Sequence, residues 1–529
     1  MTELGERALS AGRRGRASAL IAVCALFAPP LPLPAAAQEV HYESAPPPFV
    51  DPMPDWALSA SVSLASDFVA RGLTFTSEGP TVHGGFNITN GLFYAGIYGI
   101  GLNYGATDKN NDGIADSDGA NVEIDYYAGV RKTVYGVDLD LAYFFYSYPN
   151  AIDFGGDVDM WEIRGIVSHQ TGWGFKPSFT MYYTPEYSFK TGRNLIFEGQ
   201  IEQALPRLGP FSPKIGALLA YNDNETGLVR PDFWYWNAGL TLGFAERYAF
   251  DIRYWDTDIS GCQSRTVFQC DERVVVGVTA AIGEPQGGDA SAEETRILGD
   301  MTLSSNIALT TDYVYRGQSQ TDENPAVQGG LELAYHWLYG GIWASNVDFG
   351  GADANGDGIA DSAVSQVEFD YYGGVRKELG GVEVDLGVLY YNYPHAYLGD
   401  PPADLDYWEF KAEASSPLAA GFEGGFAVYY SPEYSFEVGE NWAFEATLEH
   451  PLPRLGPFSP TLGGMIAYND GDVGAGGLDY WYWNAGLELG FLERFAFDVR
   501  YWDTDLAGCG DAELFQCDAR VVATLSAEF

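Results

Sequence analysis

Two acidic stretches hold the residues best suited to chemistry. Asp108, Asn110, Asp112 and Asp116 put side-chain oxygens at positions 1, 3, 5 and 9 of a loop, with Gly113 after the third, and Asp353, Asn355, Asp357 and Asp361 repeat the pattern. Ca2+ gathers several hard oxygen ligands, and a glycine lets the chain bend tightly enough to supply them. Position 12 is Gly119 or Val364 instead of the bidentate Glu of an EF-hand. The expected ion is therefore structural, a stabiliser of the loop and not a catalyst. An ordinary solvated turn is the competing reading, since Asp, Asn and Gly are common loop residues; calcium is favoured.

A second set of charges lies on alternating segments. In the run from Val122 to Arg131, Val122, Ile124, Tyr126, Ala128 and Val130 share one face, and Glu123, Asp125 and Arg131 share the other. By the same alternation Glu162, Arg164, Asp251, Arg253 and Arg273 point to the polar side. Their counterparts later in the chain are Glu368, Asp370, Arg376, Glu409, Lys411, Asp498, Arg500 and Arg520. Charges facing one another across a pore create a field that sorts permeating ions, so these residues are expected to line a lumen. In a narrow barrel the same residues would instead pack as ion pairs.

Cysteines and aromatics form the remaining constellations. Cys262 and Cys270, and Cys509 and Cys517, are spaced equally, which in an exported protein reads as two local disulfides. Trp234, Tyr235 and Trp236 answer to Trp481, Tyr482 and Trp483, and Tyr254 and Trp255 to Tyr501 and Trp502. Interfacial girdles explain these clusters more simply than sugar-stacking platforms.

The elements that position all of this come in duplicate. Long strings recur at a shift of 245 residues early in the unit and 247 later, as in Pro206 to Pro213 against Pro453 to Pro460. The expected organisation is a leader over 1–37, an N-terminal segment over 38–55, barrel units over 56–282 and 302–529, and an acidic Gly/Ala-rich linker over 283–301. The leader rests on Arg13, Arg14 and Arg16, an apolar stretch from Ala17 to Ala28, and Ala35 to Ala37 before Gln38; Cys24 would leave with it.

Within a unit the apolar period is 2, and about twelve strands are joined by alternately short and long connections, the pattern of outer-membrane barrels. Short turns fall near Asn90 and Gly91, Tyr135 and Gly136, and Ala245 and Glu246, whereas longer loops fall near 70–81, 105–120, 148–158, 222–232 and 257–271. The stretch from Pro206 to Pro213 is longer than this pattern wants. The expected fold is all-β: a transmembrane antiparallel barrel in two tandem units of about 12 strands each, the alternative being one merged barrel of about 24.

Composition agrees. Aromatic residues make up 15% of 529 residues, with 35 Tyr and 64 Gly, and a mean hydropathy of −0.12 suits strands whose polar and apolar faces cancel. Apart from 17–28 there is no long apolar run, and a spanning helix needs about 20 such residues. The formal charge of −45 disfavours nucleic acid as a partner and favours cations at the surface, including those that bridge lipopolysaccharide. Val521, Ala523, Leu525, Ala527 and Phe529 form one face of a last strand, which is expected to engage the barrel-assembly machinery.

The segment Thr311-Asp312-Tyr313-Val314-Tyr315-Arg316-Gly317-Gln318-Ser319-Gln320, followed by Leu338 to Gly350, Glu368 to Gly374 and Tyr390 to Pro394, resembles the TorF family of proteobacterial porin-like proteins. The resemblance covers each unit nearly end to end and is clearer in the second. It implies a barrel with a transport role and supplies no solute. Family members usually hold one unit, so the duplication is a departure.

The function expected is an outer-membrane porin-like channel for small solutes or ions, with a calcium-stabilised surface or adhesion protein bearing a plugged barrel as the alternative. An enzyme is not expected. The six histidines, His41, His83, His169, His336, His395 and His450, have no histidine counterparts in the other unit, and no HExxH or GxSxG run occurs.

Overall fold

Alternation along each strand decides the architecture. In Val122–Val134, Tyr126 and Val130 are exposed on one face while Glu123 and Asp125 are buried on the other. A sheet with one apolar and one polar face stays open-edged unless it closes on itself, and closure satisfies every backbone group without an edge.

The computed structural model describes residues 56–103, 120–149, 151, 158–225, 232–260, 269–283, 295–298, 300–348, 365–394, 405–471, 479–506 and 516–529. The leader, both acidic loops, Cys262 and Cys509 lie outside the described residues.

Two closed barrels result. Twelve strands, from Trp56–Ala65 to Arg273–Ile282, pair antiparallel in sequence order, and the first meets the last in register from Ala60 with Ile282 to Ala65 with Gly277. The second barrel runs from Met301–Thr310 to Arg520–Glu528 and closes through Asn306 with Glu528 to Thr310 with Thr524. A short strand, Thr295–Leu298, adds to the lower part of Met301–Thr310. A merged barrel of about 24 strands is thereby overturned, because each unit's end strands find each other and leave no edge for the neighbouring unit.

The short connections are tight because their central residues adopt left-handed backbone. Tyr135 (φ 52°) and Gly136 (φ 77°), like Ala245 (φ 51°) and Glu246 (φ 60°), make turns whose twist matches the flanking strands. The Pro206 to Pro213 stretch is more compact than its length suggests. Leu208 and Phe211 exchange backbone hydrogen bonds across Gly209 (φ 61°), so the next strand already begins at Phe211.

Outward-facing residues form an apolar coat whose aromatics pair toward both ends, as Phe211 with Phe244 and Phe458 with Phe491 do at the short turns. Tyr143 stacks on Trp161, Tyr221 meets Trp234, and in the second barrel Tyr390 meets Trp408 and Tyr468 meets Trp481. The expected aromatic clusters split by alternation: Trp234 and Tyr254 are exposed outside, whereas Tyr235 and Trp255 are buried inside.

Candidate functional site

The connection near 70–81, expected as an outer loop, turns inward instead. Val69–Ala70 pairs with Leu73–Thr74 in a two-residue hairpin. Its corner is Arg71 (φ 55°) and Gly72 (φ 77°), the left-handed pair such a turn requires. Glycine is also demanded by space, since a Cβ there would sit 2.6 Å from Thr257 Cγ2 and 2.7 Å from Tyr235 Cβ on the inner wall. The second unit builds the same hairpin from Val314–Tyr315 and Gln318–Ser319 around Arg316 (φ 50°) and Gly317 (φ 79°).

Ion pairs at the tip and at the base fasten each hairpin inside its barrel. At the tip, Arg71 Nη2 donates to Glu162 Oε2 at 2.8 Å, and Glu162 also accepts from Tyr146 Oη and Thr184 Oγ1, both at 3.0 Å. Arg71 lies over the rings of Tyr182 and Tyr187. In the second barrel Arg316 Nη2 donates to Glu409 Oε1 at 2.6 Å among Tyr315, Tyr429 and Tyr434. Glu162 and Glu409 are both 0% exposed, which is tolerable for a carboxylate only with such partners.

The base of the hairpin is held by an aspartate and an arginine. Asp67 accepts from Thr74 Oγ1 and Thr76 Oγ1 and pairs with Arg273 at 3.1 Å; Arg273 reaches Glu78 as well. Asp312, Ser319, Thr321, Arg520 and Glu323 repeat this brace.

By strand alternation the charges expected to line a lumen fall on the face opposite the exposed apolar residues, where they pack against polar partners. Glu123 and Asp125 border a small cleft together with Arg71, Phe68, Tyr146 and Tyr148. Arg164 sits 3.8 Å from Asp140 and over Phe144, while Arg131 covers Tyr94, whose hydroxyl donates to Asp140. Arg253 grips Asp251 and Asn237. In the second barrel Arg376 and Lys411 converge on Asp385, Tyr313 donates to Glu368, Asp370 is buried two residues further along the same face, and Arg500 holds Asp498 and Asn484. Side-chain exposure differs between copies: Arg253 is 9% exposed against 23% for Arg500, and Arg376 reaches 41%.

Arg71, Asp67, Arg316 and Asp312 escaped sequence reasoning because they fall between strands, where period says nothing. A signal was nevertheless present, since the Arg-Gly dipeptide recurs in both units within the string that carries the family resemblance. Cys270 and Cys517 are buried at the entrance of their last strands. Among the described residues no cluster of three or more His, Cys, Asp or Glu is arranged to hold a metal.

No curated protein matches the chain in sequence. Among solved structures, the siderophore receptor PirA from Pseudomonas aeruginosa aligns at 11% identity and a TM-score of 0.30, over 91% of this chain and 81% of that one. The FrpB iron transporter from Neisseria meningitidis aligns at 9% identity and a TM-score of 0.29, over 90% of this chain and 81% of that one. Overlaps at this level say nothing about what the present chain binds or moves. Sequence is more informative, for residues 51–282 and again 294–529 match the model of a family described as a bacterial protein of unknown function (Gcw_chp). The chain therefore belongs to the Gcw_chp family and carries its unit twice.

Proposed function

We propose that the protein resides in the bacterial outer membrane and that each barrel is a narrow, hairpin-lined channel for small solutes or ions. One observation carries this reading: each barrel keeps an apolar coat outside and a charged, hydrogen-bonded interior. A closed barrel of that polarity suits a bilayer, with water and polar solute on the inside. The long connections face outward and the short turns face the periplasm, which puts both ends of each unit on one side of the membrane. The last strand serves the barrel-assembly machinery.

The acidic loops belong to the same proposal. Asp108, Asn110, Asp112 and Asp116, with Asp353, Asn355, Asp357 and Asp361, hold Ca2+ at the outer surface, where lipopolysaccharide is already bridged by divalent ions. Disulfides from Cys262 to Cys270 and from Cys509 to Cys517 staple the neighbouring loops, a reading supported by the burial of Cys270 and Cys517.

The second reading is a plugged barrel that serves as a surface protein, and the Arg71–Glu162 and Arg316–Glu409 pairs favour it. Purified protein in a planar bilayer separates the two. Discrete conductance steps are expected from the channel. A silent bilayer with well-folded protein, in the wild type and also after Arg71→Ala with Arg316→Ala, would leave the surface protein.

A further inference from the structure

The contact between the two barrels has a symmetry that the duplication alone does not require. The described residues of both barrels belong to one compact unit, and the barrels meet through outward-facing residues of their first strands, the faces that elsewhere form the apolar coat. Early in the unit a residue and its counterpart differ by 245, and later by 247. Ile307 is thus the counterpart of Val62, and Gly329 that of Gly84.

Across the contact these pairs cross over. A Cβ on Gly84 would lie 2.7 Å from Ile307 Cδ1, and one on Gly329 would lie 2.5 Å from Val62 Cγ2. A patch that meets its own counterpart reciprocally, first to second and second to first, is isologous and implies a two-fold axis. On such an axis a residue must meet its own copy. Gly101 does so at the long-loop end, where its Cβ would stand 3.3 Å from Cβ of Asn346. Toward the short-turn end the contact continues, with Tyr248 Oη donating to Leu303 O at 2.9 Å. Because the self-meeting pair lies at the long-loop end and the crossed pairs lie further along the same wall, the axis runs along the length of the barrels.

The contact is close. Val62, Val82, Ile307 and Val327 are buried although they face outward, and Phe86 meets Phe495 at 6.4 Å between ring centres. Small residues at the contact let the walls approach as in packed membrane helices, where van der Waals contact does the work that water exclusion does elsewhere. Gly99 abuts Leu309 and Val327 in this way.

We infer that the two barrels are a two-fold dimer contained in one chain. The outer wall built on Val62, Gly84 and Gly99 recognises a second copy of itself, so the interface, not the linker, holds the barrels together.

Insertion of a protease site between residues 284 and 294 of the full chain, cut after folding in detergent, tests this. The halves are expected to co-elute at the size of the uncut protein. Halves that separate while each keeps the heat-modifiable mobility of a folded barrel overturn the inference. The axis is tested by Gly101→Cys with Asn346→Cys in the same cleavable chain. These sites stand near the Cβ separation of a disulfide, so oxidation is expected to join the cut halves into one band on a non-reducing gel, which the wild type does not give. Absence of that band in folded protein refutes the axis. Gly84→Leu and Gly329→Leu are expected to loosen the cut pair alike, and loosening by only one contradicts the two-fold relation.

Discussion

Glu162 and Glu409 decide what happens inside the barrels. Each is fully buried and relies on one arginine from the inward hairpin. Removing one partner of a buried pair strands the other charge, at a cost of about 3–5 kcal/mol. Arg71→Ala is therefore expected to lower the unfolding free energy by that order, read from the fall in the denaturant midpoint. Adding Glu162→Ala should restore part of the loss, because the stranded carboxylate is gone, and strictly additive losses would show that the two residues are uncoupled. The recurring Arg-Gly dipeptide marks both arginines in the sequence, but not the direction in which they point. An arginine between strands has no period to betray its direction, and its partner lies 91 positions away.

Strands and hairpins bring their own tests. On Tyr248–Thr257 the neighbours Ile252 and Arg253 face opposite sides of the wall, Ile252 exposed outside and Arg253 held by Asp251 inside. Ile252→Lys would set a charge against hydrocarbon at a cost of about 2–4 kcal/mol, read as lost heat-modifiable folding, whereas Ile252→Leu should be silent. Replacing residues 68–76 by a Gly/Ser stretch removes the hairpin. If this element narrows the lumen, single-channel conductance rises, and unchanged conductance would show that solute passes elsewhere. For the acidic loops, added Ca2+ is expected to raise the melting temperature, and Asp112→Ala with Asp357→Ala to abolish the rise. A rise that survives both substitutions would remove calcium from the proposal.

At the scale of the whole molecule two closed barrels mean that the proposed channel reading requires two conducting units per chain. Conductance is expected in paired steps from single insertions, and Arg316→Ala should enlarge one member of the pair while Arg71→Ala enlarges the other. The chain itself determined more of this than its low hydropathy suggests. Period-2 alternation requires strands with unlike faces, the recurrence at 245 and 247 residues requires two units, and short turns such as Tyr135 and Gly136 require neighbouring strands to pair. These are local properties, fixed by which residues lie one, two or a few positions apart. Only the tertiary structure decided that Ala60 meets Ile282 and not the second unit, that the segment around Arg71 turns inward, and that Val62 meets Gly329. Each of these joins residues far apart in the chain, where the outcome depends on closure and on the space left inside and between walls. Alternation tells a side chain which face to take, but which partner waits on that face is settled only when the sheet has closed.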